Sequence, residues 1–172
     1  INHGIITGAL FLCIGMIYER THTRLIEDYG GLVKTVPVYM IFFTIFTLAA
    51  IGFPGMNAFV GEFLIIQGAF KVNMIIAALS IIGIILGTSY MIWLYYRIGL
   101  NEVNSSTVSS LFDLELREIS TLIPLVVLVF LIGLQPEILL SYMHVTVDNL
   151  IEQVHNSSII QNYTVYDTLD RI

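Results

Sequence analysis

Hydrophobic residues fall into five long stretches separated by short polar segments, a pattern typical of a chain that crosses a membrane several times. A helix needs about 20 apolar residues to cross the roughly 30 Å hydrocarbon core of a bilayer. The sequence therefore predicts an all-α, polytopic membrane helix bundle. The predicted membrane domain covers residues 1–140, with helices at approximately 4–18, 36–52, 56–70, 72–96 and 119–134.

Residues 141–172 follow a different pattern and are predicted to form an amphipathic, flexible C-terminal tail. Apolar side chains recur there at helical spacing, as at Met143, Val147, Leu150 and Val154. Such a helix can lie along a membrane interface or along a partner protein. Beyond Gln153 the pattern predicts fraying and assigns no role.

Composition identifies membrane lipid as the surroundings of the apolar stretches. Hydrophobic residues make up 56% of the 172 residues and charged residues 12%, and the mean hydropathy is +0.86. The formal net charge of -6 excludes nucleic acid as a partner, since a phosphate backbone requires clustered Lys and Arg. The sequence opens at Ile1, already inside an apolar stretch, so we expect it to be the C-terminal part of a longer protein.

Glu62 is the candidate for chemistry, because it is a carboxylate inside the third apolar stretch. A carboxylate at membrane depth must take up a proton, pair with a cation or face water. A group that alternates between these states can relay protons. The alternative is an interfacial glutamate that snorkels to water, since Glu62 lies only seven residues after Gly55.

The second and third stretches are divided at Pro54 and Gly55, with Gly52 and Gly61 nearby, and Gly61 is a further structural or hinge position. Proline lacks the N–H that a helix needs, and glycine favours a break. An interrupted membrane helix exposes backbone polar groups, and such helices tend to line hydrated cavities. The alternative is a tight surface turn between two helices.

Two histidines complete the candidate residues. His3 lies on the first apolar stretch, where its imidazole could pass a proton or could bond a neighbouring hydroxyl at a helix interface. His22 lies in the polar connection that follows, where a surface role is favoured. No metal cluster, phosphate loop or nucleophile set is found in the sequence, so no cofactor or metal is predicted in this chain.

Two strings resemble the antiporter-like membrane subunits of NADH-quinone oxidoreductase (respiratory complex I), called chain M in bacteria and chain 4 in mitochondria. The first runs from His3 to Leu32 and reads HGIITGALFLCIGMIYERTHTR followed by YGGL. The second runs from Phe46 to Phe70 and reads FTLAAIGFPGMNAFVGEFLIIQGAF. Phe53 replaces the Leu or Met usual in that family, and Met56-Asn57-Ala58 replaces a commoner small or polar triplet.

The resemblance implies an antiporter-like fold and the last five transmembrane helices of such a subunit, one interrupted by Pro-Gly. It implies that Glu62 is the functional glutamate of the broken helix, that His3 lies on the central polar axis and that His22 is the connection histidine. It also implies proton transport coupled to NADH-to-ubiquinone electron transfer. NADH, FMN, the iron-sulfur clusters and ubiquinone would belong to partner subunits.

The implied partners are the other complex I membrane-arm subunits and the N-terminal part of the same subunit. The location would be the mitochondrial inner membrane, with the bacterial plasma membrane as the alternative. Two other functions stay open. The chain could belong to a multisubunit cation/proton antiporter or membrane-bound hydrogenase, or it could be a structural piece that only holds its neighbours.

Overall fold

The structure, a computed structural model, describes residues 1–102 and 106–169, and side chains within 1–102 and 108–156. These residues form helices and connections without a strand, so the predicted all-α class is confirmed. The α-helices are α1 Asn2–Thr21, α2 Leu32–Thr35, α3 Pro37–Ala50, α4 Asn57–Val72, α5 Met74–Tyr95, α6 Ser106–Ser109, α7 Leu116–Leu134 and α8 Glu137–Leu169. A 3-10 turn covers Ile26–Asp28, and α5 continues into a π-helical turn, Tyr96–Leu100.

The chain divides into two compact units, residues 1–134 and residues 135–172. The second unit contains α8, in which His144 Nδ1 lies 3.7 Å from Glu137 Oε1. The last three residues of the predicted tail, 170–172, lie outside the described residues.

Three described helices are long and apolar enough to cross a membrane: α1, α5 with its π-helical turn, and α7. The other two predicted crossing segments are shorter, because α3 has 14 residues and α4 has 16. At 1.5 Å per residue these helices measure about 21 and 24 Å, less than the roughly 30 Å of a hydrocarbon core. The Pro-Gly break therefore separates two helices that are each too short to cross alone.

Residues 1–134 pack around one apolar core. Helix α1 lies against α3 and α7, while α4 lies against α5 and α7. The side chains of Phe46, Leu122, Val129 and Cys13 are fully buried where these helices meet. Most of α5 presents exposed apolar side chains, as expected for a helix that faces lipid or further membrane helices.

An ion pair ties the end of α1 to the start of α7. Arg20 binds Glu118 with both terminal nitrogens, Nη1 to Oε1 at 2.8 Å and Nη2 to Oε2 at 2.6 Å. Arg20 also donates to the carbonyls of Met16 and Phe112, and the Glu118 carboxylate accepts the backbone N–H of Glu115. A bidentate Arg–carboxylate pair of this kind fixes both position and orientation.

The segment before α7 also caps α3. The carboxylate of Asp113 accepts the backbone N–H groups of Val38 at 2.8 Å and Tyr39 at 3.0 Å. These N–H groups belong to the first turn of α3, where no intrahelical acceptor exists and a negative charge is favoured. The residue before α3, Val36, provides no side-chain cap, and Asp113, about 75 positions later in the sequence, caps the helix instead.

We predict that Glu118→Gln destabilises the assembled protein by about 3 kcal/mol, because it leaves the Arg20 charge without its partner in a largely buried site. The side chains of Arg20 and Glu118 are 19% and 9% exposed. The measurement is the thermal midpoint of the intact membrane complex in native electrophoresis.

Glu115→Gln is the matched control. It replaces a carboxylate by an amide three residues earlier, at a side chain that is exposed. Equal midpoints for the two variants would show that the ion pair contributes nothing measurable.

Candidate functional site

The break between α3 and α4 begins with a hydrogen-bonded helix end. Phe53 N–H donates to the Leu48 carbonyl at 3.0 Å, and Gly52 N–H donates to the Ala49 carbonyl at 3.3 Å. Gly52 has φ +69°, a left-handed conformation that glycine adopts without a steric penalty. This pair of bonds around a left-handed glycine is a Schellman motif, which satisfies the last carbonyls of a helix.

A tight turn follows directly. Met56 N–H donates to the Phe53 carbonyl at 3.0 Å, and Gly55 has φ +90°. Pro54 at the second position and a positive-φ glycine at the third are the sequence requirements of a type II turn. The backbone N–H groups of Ile51, Gly52, Phe53 and Met56 are thus all bonded within the chain.

This finding changes the argument for hydration made from the sequence. We expected the break to expose unpaired backbone groups, but four of its N–H groups find carbonyl partners inside the break itself. The first turn of α4 has no side-chain cap among the described residues, so its leading backbone N–H groups, as well as side chains, can still bind water. Two buried side-chain oxygens near the break, Thr47 Oγ1 and Asn57 Oδ1, do lack a hydrogen-bond partner within the described chain.

The end of α7 packs directly on the turn. A side-chain carbon added to Gly133 would overlap the Gly55 carbonyl oxygen and would lie 2.6 Å from the Met56 carbonyl carbon. Only a glycine lets the α7 backbone approach the turn so closely. On the other side, Asn2 Nδ2 donates to the Asn57 carbonyl at 2.8 Å, which ties the start of α1 to the start of α4.

Glu62 lies in the second turn of α4, and its carboxylate lies against Gly52. The side chain is half-buried. Across residues 1–102 and 108–156, no ion pair or hydrogen bond engages this carboxylate. Of the three states open to such a carboxylate, pairing with a cation is therefore not the one seen among the described residues, which leave both oxygens free to bind a proton or water.

A cleft of about 300 Å³ opens beside Glu62. One wall is formed by one face of α5, called here the α5 stripe, which includes Ser80, Gly83, Gly87 and Thr88. The end of α3 closes the cleft at Ala50 and Ile51. Small and hydroxyl-bearing residues leave room for water and provide hydrogen-bond partners for it.

The structure does not bring His3 to Glu62. The His3 side chain is exposed, and among the described residues no hydrogen bond or ion pair joins its imidazole to Glu62. The neighbouring hydroxyl of Thr7 donates to the His3 backbone carbonyl at 2.6 Å rather than to the imidazole. The role of His3 in a relay therefore stays a prediction.

His22 ends α1 in a left-handed conformation, φ 53°, and its ring packs edge-on against Tyr18. Its side chain is exposed, as a connection residue would be. Gly61 precedes Glu62 on α4, and a side-chain carbon there would meet no atom within 4 Å. Nothing in the structure requires glycine at Gly61 for space, so its hinge role stays a prediction.

Sequence reasoning placed Gly52 beside the break without its contact with Glu62, and it missed Asn57 and Gly133 as parts of this site. It offered a tight turn as the alternative, and Pro54-Gly55 after Gly52 fits a Schellman end followed by a type II turn. The contacts of Gly52 with Glu62 and of Gly133 with Gly55 depend on tertiary packing, for which the local sequence holds no signal.

Comparison with known proteins places this arrangement in a family. Residues 1–88, which include α1, the break, Glu62 and the α5 stripe, match the family described as "NADH:quinone oxidoreductase/Mrp antiporter, TM". The chain belongs to this family. The resemblance inferred from the two sequence strings is confirmed.

Similar proteins of this family occur in plants and bacteria. The chain is 41% identical over 152 residues to NADH-ubiquinone oxidoreductase chain 4 of Marchantia polymorpha, covering 88% of this chain and 31% of that protein. It is 41% identical over 155 residues to NADH-quinone oxidoreductase subunit M of Rhodobacter capsulatus, covering 90% of this chain and 30% of that protein. The chain thus spans about a third of the length of these relatives.

Solved structures show the same fold in the family. A chain of respiratory complex I from Thermus thermophilus aligns with a TM-score of 0.73 and 33% identity, over 78% of this chain and 28% of that one. A chain of the Mrp complex from Dietzia sp. aligns with a TM-score of 0.65 over 81% of this chain and 34% of that one. At 23% identity the second likeness shows the fold alone.

We predict that Gly133→Ala destabilises the assembled protein by about 2 kcal/mol, because the added carbon must push α7 away from the turn. Gly68→Ala is the matched control. Gly68 lies on α4 with no atom within 4 Å of an added carbon, and alanine there should stabilise the helix by about 0.5–1 kcal/mol.

The measurement is the thermal midpoint of the complex and its amount in the membrane. A Gly133→Ala protein as stable as the Gly68→Ala protein would contradict the close packing of α7 on the break.

Proposed function

We propose that this chain is the C-terminal part of a proton-translocating membrane-arm subunit of NADH:ubiquinone oxidoreductase, and that Glu62 exchanges protons with water in the cleft. The observation that carries the proposal is a carboxylate that has no ion pair or hydrogen bond among the described residues and lines a cleft at a helix break. Membership of the family and the similarity to complex I subunits support the assignment.

The cleft suits water better than an apolar ligand. Ser80 and Thr88 place hydroxyl groups in the α5 wall of the cleft. Gly83 and Gly87, between them in the sequence, have no side chain to fill the space. Outside the cleft lining, Thr47 and Asn57 carry two buried oxygens near the break that have no hydrogen-bond partner among the described residues. Buried polar groups are normally hydrogen-bonded, and water commonly supplies the missing partner.

A proton can move along such a path because each group can both accept and release it. Water and hydroxyl groups conduct the proton, and the carboxylate stores it between two transfers. In this proposal His3 links the path toward the central axis of the membrane arm. The proton is the transported species, and no bond other than O–H and N–H bonds changes.

Electron transfer takes place elsewhere in this proposal. NADH, FMN, the iron-sulfur clusters and ubiquinone belong to partner subunits, and their redox steps drive the proton movement here. The partners are the other membrane-arm subunits and the N-terminal part of the same subunit. The membrane is the mitochondrial inner membrane or, as the alternative, the bacterial plasma membrane.

We predict that Glu62→Gln in the intact complex lowers NADH-driven proton pumping, because an amide does not store a proton. The ratio of protons moved to electrons transferred should fall, while the amount of assembled complex stays the same. Proton uptake by membrane vesicles and NADH oxidation, measured together, give this ratio.

Glu27→Gln is the matched control. It makes the same carboxylate-to-amide change at an exposed residue in the connection before α2. Normal pumping by an assembled Glu62→Gln complex would refute the relay and favour a structural role for the chain.

We also predict that Thr88→Val lowers the pumping ratio, because it removes a hydroxyl from the cleft without changing the side-chain volume much. Ser89→Ala is the control on the next residue, whose hydroxyl donates to the Ile85 carbonyl at 2.7 Å and does not line the cleft. Equal ratios in the two variants would show that the path does not pass the α5 stripe.

The second candidate function is a subunit of a multisubunit cation/proton antiporter or of a membrane-bound hydrogenase. The family description and the shared fold with the Mrp complex favour keeping it. Purification of the native assembly separates the two functions. A flavin and iron-sulfur arm in the assembly supports complex I, whereas antiporter subunits alone support the second candidate.

A further inference from the structure

We propose that Gly52 is a positioning residue for Glu62: its bare Cα provides the surface on which the carboxylate rests. This inference rests on the proposed function of Glu62 and adds a residue that sets where its proton is held.

The contact is close enough to exclude any side chain. A carbon added to Gly52 would overlap Glu62 Oε2 and would lie 2.9 Å from the Glu62 carboxyl carbon. Heavy atoms that are not bonded pack at about 3.5–4.0 Å. One of the two groups must therefore move when a side chain is present.

The glutamate is the group that moves. Gly52 is fixed by its Schellman hydrogen bond to Ala49 and by its neighbour's bond to Leu48. The Glu62 carboxylate has no such restraint among the described residues and lies at the end of a flexible side chain. A substitution at Gly52 therefore relocates the carboxylate, and the helix break itself is retained.

Gly52 also adopts the left-handed conformation that ends α3. A test must therefore separate backbone strain at residue 52 from displacement of the Glu62 carboxylate. Alanine at φ +69° is strained, as a residue with a side-chain carbon is in any left-handed position. Gly31 provides the matched comparison, since it precedes α2 with φ +66° and lies in a different connection. Gly31→Ala introduces nearly the same backbone strain away from Glu62.

The test uses the intact complex and measures the ratio of protons to electrons across a range of pH. Gly52→Ala should lower the ratio by at least half of the drop that Glu62→Gln produces, and should shift the pH dependence of pumping. Gly31→Ala should leave both unchanged in the assembled complex. If Gly52→Ala prevents assembly, Gly52→Asn replaces it, because asparagine tolerates the left-handed conformation and still carries the added carbon.

Glu62→Asp provides the rescue experiment. Its carboxylate is one methylene shorter and withdraws from residue 52, so Gly52→Ala should cost little further pumping in the Glu62→Asp background. Backbone strain alone predicts the same loss in both backgrounds.

The inference is overturned if Gly52→Ala pumps like Gly31→Ala, or if the loss is equally large in the Glu62→Asp background. Those results, together with impaired pumping by Glu62→Gln, would leave the proposed function standing. Normal pumping by Glu62→Gln would instead remove the proposed function and this inference with it.

Discussion

Backbone polar groups at membrane depth have no bulk water to bond, so a chain that interrupts a helix there must supply their partners itself. The break between α3 and α4 does this for four N–H groups, with a Schellman end and a type II turn in direct succession. Both devices need a glycine with positive φ, at Gly52 and at Gly55. Their geometry fixes where α4 starts, and the start of α4 determines where Glu62 lies.

The opposite end of α3 is held by a different kind of interaction. Asp113 caps its first turn, and the same connection is anchored to α1 through Arg20 and Glu118. A partly buried charge has a desolvation cost, which is offset only when an opposite charge and several hydrogen bonds lie at the same site. Helix α3 is therefore restrained at both ends, by polar groups at its start and by glycine packing at its end.

Local sequence signals predicted the all-α class and the division at Pro54-Gly55, because hydropathy and helix breakers act over a few residues. They also marked Glu62, since a lone carboxylate is conspicuous among apolar neighbours. They did not reveal the Asp113 cap or the contact of Gly133 with Gly55, which join residues about 75 positions apart. Nor did they reveal that four N–H groups at the break bond to carbonyls of the α3 end and of the turn.

The break brings Glu62 into contact with Gly52, which a continuous helix would keep out of its reach. Glu62 lies ten positions after Gly52, and an uninterrupted helix would place them about 15 Å apart along its axis. A glutamate side chain does not reach that far, yet here the carboxylate lies against Gly52. The interruption therefore folds the chain back by several ångströms, and the end of one helix becomes the support for the ionisable group of the next.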